Sequence, residues 1–531
     1  MVDTAIDSDL YDHQLKEIST KIDYSPYYVV DEHWSYLSTI QPLFTKMISN
    51  IAKNHKYLID LHKKKDQFSS YLSFLLHEID NILTDFDCSK LFDGGLFRND
   101  FMHSGSKPFW KQVEFNTIAV AFAGISHFLS RSATSGSSAV IPSSAALLSA
   151  DYLLSTAKSV SELNSFSKSC ILFVFPDGET NTKDQDFLVS ILHKLKEEKY
   201  RDAESSISIE YGPVSSIVPK LSFTKPSIVN PDQDTLPLPS LVYDGIPVSV
   251  VYLRGGYSPD HYTDLSSDMA HRVASYTMDC LDKMYFEKKH LITETKFPDV
   301  SMLCNMSILR VFSDISSCVS VPSVSVQLAG TKLVQHEFTS VASESYKTEP
   351  ESFSSILMPK YFDSEFCLSL SPIAPFTPKS YTLSKESLPI LREICKHPEC
   401  YVLKPQMEGG GNNIFGVELR EELESVISKL EKEEFVEDPR CLIVQRLIDA
   451  SVQVISPYKR RIVEVGLFSS TLFQPFPSKP HSHSLIEEEE EKITTDKHAY
   501  LCRAKEEGTT EGGVCSGYAK VVCLKMGGKG K

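Results

Sequence analysis

A glycine-rich segment that follows an apolar run carries the residues best suited to chemistry. It begins at Lys404 and ends at Gly416, with three consecutive glycines at 409–411. Glycines let the backbone approach a ligand closely, so their N–H groups can surround phosphate oxygens while Lys404 adds a positive charge. Glu408 and Asn413 offer oxygen atoms of the kind that Mg²⁺ prefers. The segment predicts a nucleotide-phosphate site, and the tip of a flexible hairpin is the alternative interpretation.

Two common nucleotide motifs do not describe this segment. A Walker A loop closes with Gly-Lys-Ser or Gly-Lys-Thr, which is absent here. A Rossmann fingerprint opens a helix at its last glycine, and we expect no helix to begin at Gly416.

A second pattern lies earlier in the chain, at Glu114 and Asn116. The run 112–117 predicts a β-strand, on which residues two apart point to the same face. Both side chains can therefore aim oxygen atoms at one cation. An edge strand with a polar face is the alternative interpretation.

The elements that must position these residues alternate between helical and extended patterns. Apolar residues at three- and four-residue spacing predict helices between 34 and 86, and further helices are expected at 185–198, 266–286 and 418–432. Short β-branched runs predict strands at 112–117, 170–175, 207–211, 248–254, 401–404, 442–445 and 462–467. Loops are expected at 132–144, 340–380 and 475–497, and the glutamate run at 487–491 is expected to be solvated. This order favours a mixed α/β or α+β protein.

Composition limits the classes of function. A chain of 531 residues predicts two to four packed units, and 41% hydrophobic with 23% charged residues is typical of globular proteins. The net charge of -16 argues against nucleic acid as a partner, because nonspecific affinity for it comes mainly from Lys and Arg.

The sequence also carries weaker signals about the compartment of the protein and the redox state of its cysteines. Neither an export signal nor an apolar stretch long enough to span a membrane is found, so we expect a cytoplasmic protein without a membrane partner. Twelve cysteines spread without a short framework indicate reduced thiols. Cys395 and Cys400 enclose one histidine, but a zinc site is disfavoured because a second ligand pair is missing.

Several separated blocks resemble those of the eukaryotic-type glutathione synthetases, a family with the ATP-grasp fold. The blocks lie at 97–102, 114–118, 250–257, 327–332, 404–416 and 503–517. The resemblance implies an α/β (α+β) architecture with N-terminal helices, an inserted substrate-binding domain and a lid subdomain. The implied domains are 1–168 (N-terminal helices and the first part of the ATP-grasp domain), 169–325 (substrate-binding domain) and 326–531 (ATP-grasp domain with glycine-rich lid loops).

The reaction implied by this resemblance joins γ-glutamylcysteine to glycine. ATP phosphorylates the cysteinyl carboxylate, glycine attacks the acyl phosphate, and glutathione, ADP and phosphate are released. The resemblance implies Mg²⁺ as cofactor and a homodimer. Arg98 and Arg503 match the catalytic arginines, whose charge would steady the acyl phosphate and the oxyanion formed when glycine attacks.

The resemblance also assigns binding residues by position. The implied metal ligands are Glu114, Asn116 and Glu408. The implied ATP-binding residues are Lys332, Lys404, Gly409, Gly410, Gly411, Asn412, Asn413, Phe415, Val444, Gln445, Arg446, Leu447, Glu464, Lys505 and Glu511. The implied substrate-binding residues are Arg98, Glu179, Gln185, Arg254, Tyr257, Arg503, Val514 and Cys515.

Four positions depart from the family pattern. Ala119 and Ala121 stand where serines usually contact the dipeptide, and Gly255 and Glu511 each replace an aspartate. Lost hydrogen bonds cost about 0.5–1.5 kcal/mol each, so we expect a weaker or altered preference for the dipeptide.

Two other functions stay open at this point. One is the same ligase chemistry with a different acceptor, such as β-alanine or serine, decided by the residues around Val514 and Cys515. The other is a nucleotide-binding or scaffold protein that has lost catalysis. Retention of both arginines together with the implied metal and phosphate ligands weighs against the second, because a binding relic has no need of a complete Mg²⁺ shell.

Overall fold

The computed structural model describes most of the chain. It covers residues 18–63, 65–105, 107, 109–134, 140–200, 206–225, 235–286, 295–296, 303–342, 357–406, 412–433, 442–456, 459–475, 491–509 and 513–527. Within these ranges no helix is long and apolar enough to cross a membrane.

A seven-stranded central sheet joins the two ends of the chain. Its strands are β1 (Ile22–Val30), β3 (Asp93–His103), β4 (Trp110–Asn116), β17 (Val452–Ser456), β18 (Lys459–Phe473), β19 (Lys492–Glu506) and β20 (Lys520–Gly527). The strand order is β1-β20-β19-β18-β3-β4, with β17 on β18. All pairs are antiparallel except β1 with β20. Residues far apart in sequence therefore meet on this sheet.

Helices cover both faces of the central sheet. The N-terminal helices α1 (Asp31–Ala52), α2 (His55–His62) and α3 (Gln67–Leu83) confirm the helical prediction for residues 34–86. Helices α4 (Ala123–Thr134) and α5 (Ala145–Leu163) follow β4. Buried residues of α1, such as Phe44, belong to one apolar core, and buried residues of α4 and α5, such as Leu129, belong to a second.

A second sheet occupies the middle of the sequence. Its strands are β5 (Lys168–Phe175), β6 (Ser206–Pro213), β7 (Leu221–Thr224), β9 (Ser240–Tyr243), β10 (Ile246–Leu253), β11 (Thr295–Lys296) and β12 (Val319–Val321), while β2 (Phe86–Asp87) and β8 (Leu236–Pro237) form a separate pair. The associated helices are α6 (Thr182–Lys199), α7 (Val214–Ile217), α8 (Ser267–Phe286) and α9 (Asn305–Asp314). Because β5, β6, β10 and β12 pair in parallel, their carboxyl ends share one edge.

A small third sheet carries the glycine-rich segment. It is formed by β13 (Ser380–Thr382), β14 (Tyr401–Lys404), β15 (Ile414–Phe415) and β16 (Ile443–Arg446), in the order β13-β16-β14-β15. It packs with α14 (Leu388–Lys396) and α15 (Gly416–Glu431) around an apolar core of its own. The helices α10 (Val324–Ala329), α11 (Lys332–Ala342), α12 (Met358–Tyr361) and α13 (Ser364–Ser369) lie between the second and third sheets in sequence.

The predicted strands and helices are all present, with boundaries shifted by a few residues at most element ends. The expectation about Gly416 was wrong, because α15 begins there. Gly416 has a φ of 57°, a left-handed conformation that glycine adopts without strain. All three predicted loops contain some regular structure, since α4 extends to Thr134, α12 and α13 fall within 340–380, and β19 begins at Lys492.

The last glutamate of the acidic run is not solvated. The Glu491 side chain is 2% exposed and binds the ammonium groups of Lys46 at 2.6 Å and Lys53 at 3.1 Å. These lysines and their hydrogen bonds hold the Glu491 pKa below its ordinary value, although burial opposes this. Two cations on α1 thus place this carboxylate inside the protein. The other residues of the run lie outside the described residues.

Candidate active site

Alternate residues of four neighbouring strands put their side chains on one face of the central sheet. The residues are Arg98 and Asp100 on β3, Glu114 and Asn116 on β4, Glu464 on β18, and Arg503 and Lys505 on β19. The strand register sets Arg98 opposite Asn116, Asp100 opposite Glu114, and Glu464 opposite Arg503. Because side chains alternate along a strand, this register gathers the polar groups into one patch.

Asp100 lies at the centre of this patch and is fully buried. Its carboxylate accepts hydrogen bonds from Arg98 through Nε at 2.7 Å and Nη2 at 2.9 Å. Oδ2 also accepts from Arg503 Nη2 at 2.8 Å and from Asn116 Nδ2 at 3.0 Å. One carboxylate therefore joins both predicted catalytic arginines to a predicted metal ligand. No role was predicted for Asp100, although its spacing of two from Arg98 was a usable signal.

Positive charges surround Glu114, the predicted metal ligand on β4. Burial alone would favour its neutral form, but Lys332, Arg503, Lys404 and Arg98 outweigh burial and hold the Glu114 pKa at about 2. Its carboxylate lies 3.7 Å from Arg503 Nη2 and keeps 29% of its side chain exposed. Glu114 is thus an ionised carboxylate at neutral pH that faces the open side of the patch. The prediction that Glu114 and Asn116 share one strand face is confirmed.

Glu464 contacts Arg503 directly, as well as lining the neighbouring cavity. Burial raises the pKa of Glu464, and the negative charges of Asp100 and Glu114 add to this effect while Arg503 opposes it. Arg503 is held as a cation by the same three carboxylates, which raise its pKa against the effect of burial. Arg503 therefore forms the link between the charged patch and the cavity beside it.

A cavity of about 290 Å³ adjoins the patch, between the central and third sheets. The predicted nucleotide-binding residues that line it are Lys404, Asn413, Phe415, Gln445, Arg446, Leu447, Glu464 and Lys505. Several apolar residues of the lining were not predicted from the sequence, among them Met102, Ile448 and Ile462. Their positions in short apolar runs gave no signal that separates a cavity wall from a core. The cavity size and mixed lining suit a nucleotide base and sugar.

The hairpin of β14 and β15 brings Lys404 against the central sheet. Lys404 Nζ donates a hydrogen bond to the carbonyl of Val113 at 3.1 Å, next to Glu114. Lys332, at the first position of α11, shares a small neighbouring pocket with Lys404. Of the other predicted residues, Val444 is buried in the third sheet and Asn412 is exposed. Glu408, Gly409, Gly410, Gly411 and Glu511 lie outside the described residues.

The predicted dipeptide residues gather at the carboxyl edge of β5 and β10. Arg254 follows β10, is 4% exposed and donates a hydrogen bond to the carbonyl of Val120 at 2.6 Å. Glu179 lies in the loop between β5 and α6, where its Oε1 accepts from the backbone N–H of Asn181 at 2.6 Å. Burial raises the pKa of the Cys515 thiol, and the charges of Glu179 and Arg254 are close enough to act on it. The structure thus brings these three residues to one region.

Several buried polar atoms in this region have no hydrogen-bond partner among the described residues. They are Nε2 of Gln185, Oδ1 of Asn181 and Nε of Arg254. Buried polar groups are nearly always hydrogen-bonded in folded proteins, so these atoms are suited to a polar ligand. Asn181 was not among the predicted site residues.

Asp184 is a further residue that sequence analysis missed. Its carboxylate accepts from the backbone N–H groups of Phe122 at 2.6 Å and Ile125 at 3.1 Å, at the beginning of α4. Asp184 thereby caps this helix and also faces Arg254. The remaining predicted residues, Tyr257 and Val514, are partly and fully buried respectively, and Tyr257 packs against His261.

A larger cavity, of about 530 Å³, lies between α5 and the strands β18 and β19. None of the predicted site residues that the structure describes lines it. Volume alone therefore does not locate the site, and the charged groups do.

Two arginines, two lysines, and carboxylate and amide oxygens near one cavity fit an ATP-dependent ligase, which must neutralise a transferring phosphoryl group. The family model for the eukaryotic glutathione synthase ATP-binding domain matches residues 12–524. The chain therefore belongs to the eukaryotic glutathione synthase family, whose members are ATP-dependent ligases that form a peptide bond.

Curated relatives are similar along most of their length. The chain is 24% identical to the chloroplastic glutathione synthetase of Solanum lycopersicum, over 92% of this chain and 74% of that protein. It is 24% identical to the glutathione synthetase large chain of Schizosaccharomyces pombe, covering 96% and 92%, and 25% identical to glutathione synthetase of Bos taurus, covering 90% and 84%. The fold is similar to that of a glutathione synthetase-like effector from Globodera pallida in its apo form, with a TM-score of 0.55, 13% identity and coverage of 98% and 97%.

Proposed function

We propose that the charged patch and its adjoining cavity are where this chain joins γ-glutamylcysteine to glycine at the expense of ATP. The observation that carries the proposal is the convergence of both arginines, Glu114 and Asn116 on one sheet face, beside a cavity lined by predicted nucleotide residues. A phosphoryl transfer followed by amine attack needs positioning and charge neutralisation, which these groups supply.

Mg²⁺ fits the donor set of this patch. Glu114 is ionised and Asn116 offers an amide oxygen, both hard oxygen ligands. Glu408 would supply a third oxygen. When bound, the metal ion would draw charge off the phosphoryl group. Lys404 and Lys332 would hold phosphate oxygens, and Phe415, Gln445 and Leu447 would surround the base.

The donor dipeptide would bind between the patch and the edge of β5 and β10. Its cysteinyl carboxylate would face Arg98 and Arg503, because guanidinium groups bind carboxylates and phosphates through paired hydrogen bonds. Its γ-glutamyl end would reach Glu179, Gln185 and Arg254. The unpartnered polar atoms of that region supply matching donors and acceptors.

The replacement of an aspartate by Gly255 changes this dipeptide region. A Cβ atom at Gly255 would lie 2.8 Å from Pro176 Cδ and 3.3 Å from Met306 Cε. No side chain fits at Gly255 without displacement of these neighbours. The position therefore places the apolar side chains of Pro176 and Met306 where the family usually has an acidic group. A changed preference for the γ-glutamyl end of the donor is expected.

The proposal also covers the assignment of the three sheets to domains. We assign the central and third sheets to an ATP-grasp arrangement, with the nucleotide between them, and the second sheet to the inserted substrate-binding domain. The sequence-based boundaries of 1–168, 169–325 and 326–531, a cytoplasmic location and a homodimer complete the proposal.

The test is release of phosphate from MgATP in the presence of γ-glutamylcysteine. Separate reactions contain glycine, β-alanine, serine or no amino acid, and mass spectrometry identifies the product. We expect phosphate and tripeptide only with glycine. The variant Glu114→Gln should lose this activity, whereas Glu162→Gln, which changes an exposed glutamate paired with Lys158, should retain it.

Other results would correct the proposal in defined ways. Product formed with β-alanine or serine instead of glycine would change the acceptor and keep the ligase chemistry. Phosphate release at the same rate with and without each amino acid would overturn the ligase assignment. It would favour a nucleotide-binding protein without peptide synthesis.

A further inference from the structure

Asp100 differs from the other two described carboxylates of the patch, Glu114 and Glu464, in its exposure and in the hydrogen bonds that it accepts. Glu114 keeps an exposed side towards the cleft and Glu464 lines the cavity, so both are open to ligands. The Asp100 side chain is 0% exposed, and its two oxygens accept all four of the hydrogen bonds described above. A group without access to a ligand can act on the reaction only through its neighbours.

We propose that Asp100 is the positioning residue of this site, which fixes both arginines and the amide of Asn116 against one carboxylate. The proposal rests on the proposed function, because it takes Arg98 and Arg503 as the groups that meet the acyl phosphate. Asp100 itself touches neither nucleotide nor dipeptide.

The geometry at Arg98 supports this role. The fork of Nε and Nη2 on the two Asp100 oxygens is a bidentate pair, which fixes the plane of the guanidinium group. Nη1 is held from another direction by the carbonyl of Ala121 at 3.1 Å. Arg98 is therefore fixed in orientation before any substrate binds, and its other N–H bonds have defined directions.

The geometry at Asn116 supports it in a different way. Nδ2 donates to Asp100 Oδ2 at 3.0 Å and to the carbonyl of Arg98 at 3.2 Å. Both partners are acceptors, so the amide must turn its NH₂ group towards them and its Oδ1 away. Asp100 thereby selects the orientation in which Asn116 presents oxygen to a cation.

The neighbouring strand β18 leaves room for the contact between Asp100 and Arg98, because the residue that faces them is a glycine. Gly466 lies across from Asp100 in the register of β3 and β18. A Cβ atom there would lie 2.4 Å from Asp100 Oδ1 and 2.6 Å from Arg98 Cδ. Even an alanine would push the aspartate and the arginine apart, so the space for their contact depends on this glycine.

Two substitutions test the proposal by separate routes. Asp100→Asn removes the charge with little change in shape, and Gly466→Ala keeps every charge but displaces the pair. Each should lower kcat roughly 100-fold, since misplacement of reacting groups by about 1 Å costs that much, and should leave the KM for ATP within about threefold. The matched control is Asp93→Asn, a buried aspartate on the same strand that binds Ser323 and Ser325, for which kcat per folded molecule should be unchanged.

A rescue experiment distinguishes positioning from mere stability. Guanidinium ion at millimolar concentration should restore activity to Arg503→Ala, because Asp100 and Glu464 would hold the added cation in place. It should fail to restore activity to the double variant Asp100→Asn/Arg503→Ala. Equal rescue of both variants, or a kcat of Asp100→Asn within threefold of the unmodified protein, would overturn the proposal.

Failure of the proposed function has a different signature. An unmodified protein that releases no phosphate would overturn the ligase assignment whatever Asp100 does. Calorimetry with γ-glutamylcysteine would then test the positioning role of Asp100. A misdirected Arg98 in Asp100→Asn should weaken dipeptide binding about tenfold. Unchanged affinity in Asp100→Asn would overturn the positioning role by this independent measurement.

Discussion

Arg503 and Glu179 lie at opposite ends of the proposed donor site and should differ in what they contribute. Arg503 contacts three carboxylates, and in the proposed reaction it would face the point where negative charge develops during phosphoryl transfer and amine attack. Glu179 lies in a loop, and its side chain accepts a hydrogen bond from the backbone N–H of Asn181. Under the proposed function, Arg503 would act on the transition state and Glu179 on the bound substrate.

Alanine substitutions should separate the two roles. Arg503→Ala should lower kcat by roughly 100- to 1000-fold, because its charge stabilises the transition state more than the ground state. Glu179→Ala should mainly raise the KM for γ-glutamylcysteine and leave the KM for ATP unchanged, because its contact with the substrate ammonium is equal before and during reaction. Steady-state kinetics with each substrate varied in turn gives the answer. Normal dipeptide binding in Glu179→Ala would show that the donor site lies elsewhere.

At the residue scale, local spacing predicted much of the site. Glu114 and Asn116 were predicted on one strand face by their spacing of two, and the Lys404 segment by its glycines. Asp100 was missed because its importance comes from Arg503, which lies 403 positions away in sequence and meets it only through strand pairing. No local pattern carries that information.

At the element scale, two motif blocks pack against each other at a single glycine. Gly330 ends α10 shortly before Lys332, and a Cβ atom there would lie 2.3 Å from Thr117 Oγ1 and 2.5 Å from Thr117 Cγ2. Thr117 follows Asn116 at the end of β4. The contact thus fixes the distance between the end of β4 and the start of α11.

We expect Gly330→Ala to destabilise the protein by about 1–3 kcal/mol, because overpacking of this contact forces the backbone apart. Thermal unfolding should show a lower Tm, together with a raised KM for ATP as Lys332 moves. Gly105→Ala is the matched control, since a Cβ atom at Gly105 has no heavy atom within 4 Å. Equal Tm values for the two variants would contradict the packing argument.

A buried carboxyl group connects α11 to α12. Glu337 is 3% exposed, and its Oε2 accepts from the backbone N–H groups of Leu357 and Met358, each at 2.8 Å. Burial raises the Glu337 pKa to about 7, although these hydrogen bonds oppose the shift. A carboxyl group with a raised pKa contributes stability below its ordinary pKa of 4.5, and that contribution is lost as pH rises through 7.

Glu337→Gln should remove this pH dependence, because the amide can accept the same two hydrogen bonds without becoming charged. Relative to the unmodified protein, the free energy of unfolding of the variant should improve by roughly 3 kcal/mol between pH 4.5 and pH 8. Urea unfolding at both pH values measures this difference. A difference between the two proteins that does not change with pH would show that Glu337 is not protonated in the fold.

The element types were predicted well, and the errors have physical causes. The strands at 112–117 and 401–404 and the helix at 266–286 follow from side-chain periodicity alone. The start of α15 at Gly416 was missed because a glycine with positive φ gives no helical signal in sequence. The burial of Glu491 was missed because the two lysines that hold it lie on α1, more than 400 residues earlier in the chain.

At the scale of the whole molecule, the central sheet explains why the site needs both ends of the chain. Strands β3 and β4 come from the first quarter of the sequence, and β18 and β19 come from its last quarter. The charged patch exists only when these strands pair. The third sheet, with its separate core, brings Lys404 to the patch from the side of the adjoining cavity. This long-range pairing is what the sequence pattern alone could not supply.

The most direct test of the central claim follows the oxygen atoms of the donor carboxylate. γ-Glutamylcysteine labelled with ¹⁸O at both cysteinyl carboxylate oxygens is incubated with MgATP and glycine, and the phosphate and peptide are analysed by mass spectrometry. An acyl phosphate is cleaved between carbon and the bridging oxygen when glycine attacks. We therefore expect one ¹⁸O in the released phosphate and the other in the new amide of the tripeptide. Phosphate without ¹⁸O, released while the dipeptide keeps both labels, would contradict the assignment of this site to peptide ligation.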